Sequence, residues 1–237
     1  MFRALDAGKV IGTLEQLERR IVERFPGAGL GKICAELTET ARQSRARSKE
    51  IEAPNVPLRV FIAVVLLVAI ALLAKVVQFI VTSTRAGDDM ASTIQGIDAG
   101  LSVALVLGAS LFFLFRLEEK WKRRRALTVL HELRSIIHVI DMHQLTKDPS
   151  AKAAVSAPTA SSPRRELSTH ELARYLDYCS EMLSLAAKVA VLYVQSFPDP
   201  VVTVVVNDLE RSAAALSQKI WLKIQVLEEK AAATRGM

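Results

Sequence analysis

LRVFIAVVLLVAIALLAKVVQFIVTS, Leu58 to Ser83, is the stretch on which the fold turns. Between Val60 and Thr84 its only charge is Lys75. A bilayer core of about 30 Å takes roughly 20 apolar residues as helix, and this run exceeds that. A second run, IQGIDAGLSVALVLGASLFFLF from Ile94 to Phe115, carries Asp98 as its only charge. In lipid every backbone polar group must be satisfied within its own segment, so both runs read as helix despite their β-branched residues. The spans 58–83 and 94–116 are expected to form a transmembrane hairpin, residues 58–116. The expected fold class is all-α: this two-span hairpin with a cytoplasmic helical bundle.

The flanks orient the hairpin. Arg42, Arg45, Arg47, Lys49 and Arg59 precede the first span, and Arg116, Lys120, Lys122, Arg123, Arg124 and Arg125 follow the second. The turn holds Arg85 against Asp88 and Asp89. Lysine and arginine collect on the cytoplasmic side, so both termini are expected in the cytoplasm of a multi-pass cell-membrane protein, the inner membrane if the cell is Gram-negative.

Two features inside the hairpin carry information. Lys75 lies 16 residues beyond Arg59 and Asp98 lies 18 before Arg116, roughly 24 and 27 Å from the cytoplasmic ends at about 1.5 Å per residue. A charge within a span seeks a partner, and pairing of Lys75 with Asp98 between the helices is expected. The rival reading has each charge reaching the outer surface alone. The second feature is Gly96, Gly100, Ala104 and Gly108, small residues four apart that let another helix approach closely. Asp98 points well away from that groove. If Asp98 meets Lys75, the groove is open to another subunit; if the groove holds the first span, Asp98 looks elsewhere.

The chain has 31 Lys plus Arg against 25 Asp plus Glu, a formal charge of +6. Much of the excess flanks the spans, which points to anionic lipid; no nucleic-acid-binding motif is present and no nucleic-acid partner is expected. Lys120, Lys122, Arg123, Arg124 and Arg125 are the headgroup candidates. Cys34 and Cys179 are far apart and suit a reducing compartment without a disulfide. No apolar run follows a basic start at the N-terminus, so the first span is expected to serve as the insertion signal.

Residues 1–57 read as two cytoplasmic helices. The first carries Leu5, Val10, Leu14, Leu17, Ile21 and Phe25 and ends at Pro26-Gly27-Ala28-Gly29. The second runs from about Leu30 to Glu50 with Ile33 and Leu37 on its apolar side, and Pro54 and Pro57 are expected to break the helix before the first span. Past Phe115 there is no breaker, so the second span should continue as one helix through 117–146, with Leu127, Leu130, Leu133, Ile137 and Ile140 on its apolar side. Residues 147–167, rich in Ala, Ser and Pro, read as a flexible linker. Residues 168–233 read as a helical hairpin, whose first helix, to about Gln195, carries Leu172, Leu176, Cys179, Leu183, Ala186, Ala190 and Tyr193 on one side. Ser168 and Glu171 form a capping box at its start, Asp199 and Pro200 open its second helix, and VVTVVV has no partner strand.

Residues able to carry chemistry are few. His131, Arg134, His138 and Asp141 share one side of the extended helix at i, i+3, i+7 and i+10. His131 and His138 are about 10 Å apart along the axis, too far for one metal. No metal is expected; His138, Asp141 and His143 are the residual candidates, with further ligands needed from elsewhere. The competing readings are a buried polar seam, His138 with Asp141 and Arg134 with a glutamate, and an anionic-ligand site around Arg134 and His138. Tyr175 and Tyr178 read as packing residues. No glycine-rich phosphate loop, GxSxG or HExxH motif occurs, and position 135, where a zincin's second histidine would fall, is Ser. No enzyme activity and no cofactor are expected.

The expected function is a membrane scaffold or signalling and regulatory subunit, acting as a homo-oligomer with a possible cytoplasmic protein partner. Its rival is a membrane effector or channel-like protein assembled through the hairpin, with Lys75, Gln78 and Thr82 as polar positions confined to the outer half. In outline the chain resembles small two-span bacterial membrane proteins with cytoplasmic helical domains, and its Ala- and Arg-rich composition fits a bacterium.

Overall fold

The computed structural model describes residues 4–52, 56–85, 90–147 and 167–235. Every regular element among them is an α-helix: α1 (Ala7–Arg24), α2 (Gly29–Glu52), α3 (Val56–Arg85), α4 (Met90–Leu145), α5 (Thr169–Ser196) and α6 (Pro200–Arg235). The expected 147–167 linker lies almost wholly outside the described residues. The chain divides into two compact units, Met1–Glu52 with Arg125–Met237, and Ala53–Arg124. Helix α4 runs without a break through residues of both.

Local signals place most helix ends. Asp6 caps α1, its carboxylate accepting from Gly8 N at 2.7 Å and Lys9 N at 3.3 Å. The turn after α1 needs a left-handed residue, and Gly27 supplies it at φ 78° without a Cβ penalty. The capping box at α5 is complete: Glu171 N donates to Ser168 Oγ at 3.2 Å, and Ser168 N donates to Glu171 Oε2 at 2.7 Å. At α6, Val201 N and Val202 N donate to Asp199 Oδ1 at 2.9 and 3.2 Å. That cap draws VVTVVV into the first turns of a helix. Pro57 departs from expectation. It sits in the first turn of α3, where a missing N–H costs nothing, and so opens this helix instead of ending the one before. Pro54 lies outside the described residues.

In the first unit α5 is the central helix. It packs against α1, α2 and α6 and buries 13 of its residues, more than a single apolar stripe provides. The expected side, Leu172, Leu176, Cys179, Leu183, Ala186, Ala190 and Tyr193, is buried, and so are Tyr175, Tyr178, Met182, Leu185, Val189 and Leu192. Leu14, Leu17 and Ile21 from α1, Leu30 and Leu37 from α2, and Leu130, Leu133, Ile137 and Ile140 from α4 close the core with almost no solvent exposure. Each such side chain contributes roughly 1.5–3 kcal/mol by leaving water. Ala126, Val129 and Ile136 join the buried side of α4, while Leu127 is half-buried at its edge. Buried hydroxyls turn back on their own helix: Thr38 Oγ1 donates to Cys34 O at 2.8 Å and Ser44 Oγ to Thr40 O at 2.6 Å. Both cysteines are free thiols.

The second unit inverts this pattern. Two helices are long and apolar enough to cross a membrane, through the run Val60–Gln78 and the run beginning at Ile94. Their large side chains face outward: Leu67 is 67% exposed, Phe113 66% and Val106 65%. Ile62, Ala69, Gly96 and Gly100 are buried. A methyl placed on Gly100 would lie 3.0 Å from Val76 Cγ1, so the Val76 side chain packs directly on the α4 backbone there.

Candidate functional site

The residues singled out on α4 line one edge of its buried stripe, 100° around the helix from Leu130, Leu133, Ile137 and Ile140. That position leaves His131 and His138 exposed and Arg134 and Asp141 half-buried. The expected seam does not form among the described residues: neither His138 nor Arg134 makes a hydrogen bond or ion pair there, and Asp141 pairs with Gln144. No group of three or more His, Cys, Asp or Glu among the described residues is arranged to hold a metal, so His138, Asp141 and His143 are not brought together.

The structure gives Asp141 and His143 other partners. Gln144, almost wholly buried, donates through Nε2 to Asp141 Oδ1 at 2.6 Å. Lys223 from α6 donates to Gln144 Oε1 at 2.6 Å and to Gln144 O at 3.2 Å. An ammonium thus satisfies a carbonyl at the C-terminus of α4, where the helix leaves its acceptors open and its dipole favours a cation. His143 turns inward. Its Nδ1 lies 3.3 Å from the Tyr175 hydroxyl, and its ring fills the space beside Gly29, where a Cβ would come within 2.7 Å of Cε1.

An aromatic and ionic cluster continues from Tyr175. Phe25 meets Tyr175 edge-on at 5.5 Å and Tyr178 at 6.2 Å, both geometries that aromatic quadrupoles favour. Lys147 lies 5.5 Å over the Tyr175 ring, and Arg20 5.6 Å over Tyr178 while pairing with Glu181. Burial raises the Tyr175 phenol above its ordinary range. Burial also pushes the thiols of Cys34 and Cys179 up to about 12, so neither is a nucleophile at neutral pH. This cluster is a joint between helices, with its thiols buried and its charged groups engaged with rings and with Glu181. Sequence reading missed it because Gln144 and Lys223 are 79 residues apart.

Two shallow clefts open on the same unit. One, of about 260 Å³, lies between α2 and α4 over Ile33, Ile136 and Val139, with Glu36 and Glu132 at its sides. The other, of about 250 Å³, lies between α5 and α6 beside the exposed Trp221. Neither gathers a catalytic constellation.

Within the second unit the small-residue groove divides. Gly96 and Gly100 are buried and Gly100 meets Val76, whereas Ala104 and Gly108 are exposed and a Cβ on Gly108 would meet nothing within 4 Å among the described residues. At the level of Gly100 the α3 side chain Val76 fills the groove. Lys75 and Asp98 are both exposed, and no hydrogen bond or ion pair joins them. The basic run is partly engaged at home, with Lys122 Nζ 3.2 Å from Glu118 and both side chains 13% exposed, while Lys120 is open. No family model, no curated protein and no solved structure matches this chain.

Proposed function

We propose that the chain is an integral membrane scaffold or regulatory subunit, anchored by the α3–α4 hairpin and acting through self-association and through partners of its helical bundle. The observation that carries this reading is the inversion between the two units. One closes a dry core around Leu14, Leu17 and Leu133, and the other turns Leu67, Val106, Phe112 and Phe113 outward on helices of membrane-crossing length. An apolar surface of that extent needs a covering, and a bilayer covers all sides of a hairpin at once. The basic residues beyond both spans favour a cytoplasmic bundle. The bundle offers partners an exposed row, Val139, Met142 and Leu145, along α4. No cluster among the described residues supports a catalytic role, and the apolar inner halves of the spans give no support to a resting pore.

The test is cysteine labelling in sealed cells with an impermeant reagent. Cys34 and Cys179 are buried and silent on either side, so the reporters are introduced: Ser83→Cys or Ser92→Cys for the turn and Ser135→Cys for the exposed side of α4. Turn labelling with Ser135→Cys protected until lysis is the expected result. Labelling of Ser135→Cys in intact cells overturns the orientation, and release of the chain by alkaline carbonate overturns the membrane anchor.

A further inference from the structure

Each membrane-length helix carries a polar stripe near the end that leads to the connecting turn. On α3 it is Lys75, Gln78 and Thr82, and on α4 it is Gln95, Asp98 and Ser102; both follow i, i+3, i+7, so each occupies a single helix face. All six are exposed. The Thr82 hydroxyl is satisfied on its own helix, donating to Gln78 O at 3.0 Å. The side chains of Lys75, Gln78, Gln95, Asp98 and Ser102 make no hydrogen bond or ion pair among the described residues.

The contact between Val76 and Gly100 sets the relative height of the stripes. Lys75 is one residue from that level on α3 and Asp98 two residues from it on the antiparallel α4, so their heights differ by about 4–5 Å. A lysine side chain spans that difference. Direction keeps them apart within the chain: at about 100° per residue Asp98 lies roughly 160° around α4 from Gly100, on the side away from α3. One cation and one anion thus sit at matching depth on the outside of the hairpin, each with hydrogen-bonding neighbours above and below it. Ionisable groups facing hydrocarbon are costly and take partners. A second copy of this chain offers the complementary charge at the same depth.

We propose that copies of this chain dock the α3 stripe of one hairpin against the α4 stripe of the next, with Lys75 of one copy paired to Asp98 of the other. Gln78, Gln95 and Ser102 complete the hydrogen bonds along the seam. Each copy offers one lysine and one aspartate, so a two-fold dimer or a closed ring matches every charge. The Gly100 contact is used inside the chain, so this polar seam takes over the association role of the small-residue groove. The proposal rests on the membrane-anchored, self-associating reading above.

Co-expression of differently tagged full-length chains tests it. Lys75→Asp leaves two carboxylates per chain and Asp98→Lys two ammonium groups, so neither variant can pair with itself. Each alone should self-associate about ten-fold more weakly than wild type in mild detergent, the scale of a polar helix–helix contact in a membrane. Co-expressed, the two should co-purify at the wild-type level. One chain then presents a carboxylate at both positions and the other an ammonium at both, so every contact between position 75 and position 98 of different chains joins opposite charges. A pair formed within one chain cannot be repaired by mixing. Neutral variants give a second measurement: Lys75→Cys in one tagged chain and Asp98→Cys in the other should cross-link on oxidation, the native thiols being buried. Undiminished self-association of the single variants, or no cross-link between chains that do associate, overturns the seam and leaves the scaffold reading standing. A wild-type chain that is integral to the membrane but monomeric overturns the seam and self-association while the anchor stands.

Discussion

Replacing Lys223 with methionine tests whether the far end of α4 is held as the structure shows. The change keeps the aliphatic stem and removes the ammonium that donates to Gln144 Oε1 and Gln144 O. Both acceptors belong to a residue that is only 2% exposed, so water cannot replace the lost donor. Hydrogen bonds to charged groups contribute about 1.5–3 kcal/mol. Lys223 is itself half-buried and partly hydrated, so the lower part of that range applies, and a loss of about 2 kcal/mol is expected. Gln144→Met removes the same bond to Oε1 but leaves the backbone acceptor, and its other partner, Asp141, can rehydrate; about 1 kcal/mol is expected. The buried thiol of Cys179 serves as reporter, in a Cys34→Ala background that leaves a single native cysteine. When reclosing is fast relative to labelling, its labelling rate follows the bundle's stability, and about 2 kcal/mol corresponds to roughly 30-fold faster labelling. The double variant should lose less than the sum of the single losses, by about 1 kcal/mol. Losses that add to within about 0.5 kcal/mol would show that the two residues do not interact.

Gly29→Ala should push the His143 ring off the Tyr175 hydroxyl and cost about 1 kcal/mol by urea titration, while in a His143→Ala background the same change should be neutral or stabilising. An equal loss in both backgrounds would remove the packing argument for Gly29. Stability should also fall at high pH. The fold holds the protons of Cys34 and Cys179 more tightly than the unfolded chain does, so their contribution is complete below the ordinary thiol value of 9.0 and is lost as pH rises from 9.0 toward about 12. Tyr175, raised from 10.0, acts in the same direction. Urea midpoints at about pH 8.5 and about pH 11, either side of the ordinary thiol value, should show the decline, and Cys179→Ala should flatten it; an unchanged slope would mean that the thiol is not buried.

What could be read from the chain alone was whatever depends on neighbours in sequence. Composition along a run placed α3 and α4 and their outward apolar surface, because membrane-length hydrophobicity needs no partner to be recognised. Caps at Ser168 and Asp199 and the helix-ending Pro26-Gly27-Ala28-Gly29 were legible because each signal acts within three or four residues, though the left-handed backbone at Gly27 came from the structure. Periodicity likewise named most of the core side of α1 and α5. It under-counted α5, since a helix surrounded by neighbours buries more than one stripe and only packing shows how many neighbours there are. Packing also decided each polar question. His131 and His138 face solvent because the apolar side of α4 turned its own stripe to the core, and Asp141 took Gln144 instead of His138. The lysine that holds the end of α4 comes from 79 residues away. In the hairpin the charges and the small residues were visible as spacing, but spacing is blind to which face meets which. Only the approach of Val76 to Gly100 assigned that part of the glycine face to α3 and left Lys75 and Asp98 on the outside, because side-chain direction is set by how two helices rotate against each other and no single helix encodes that rotation.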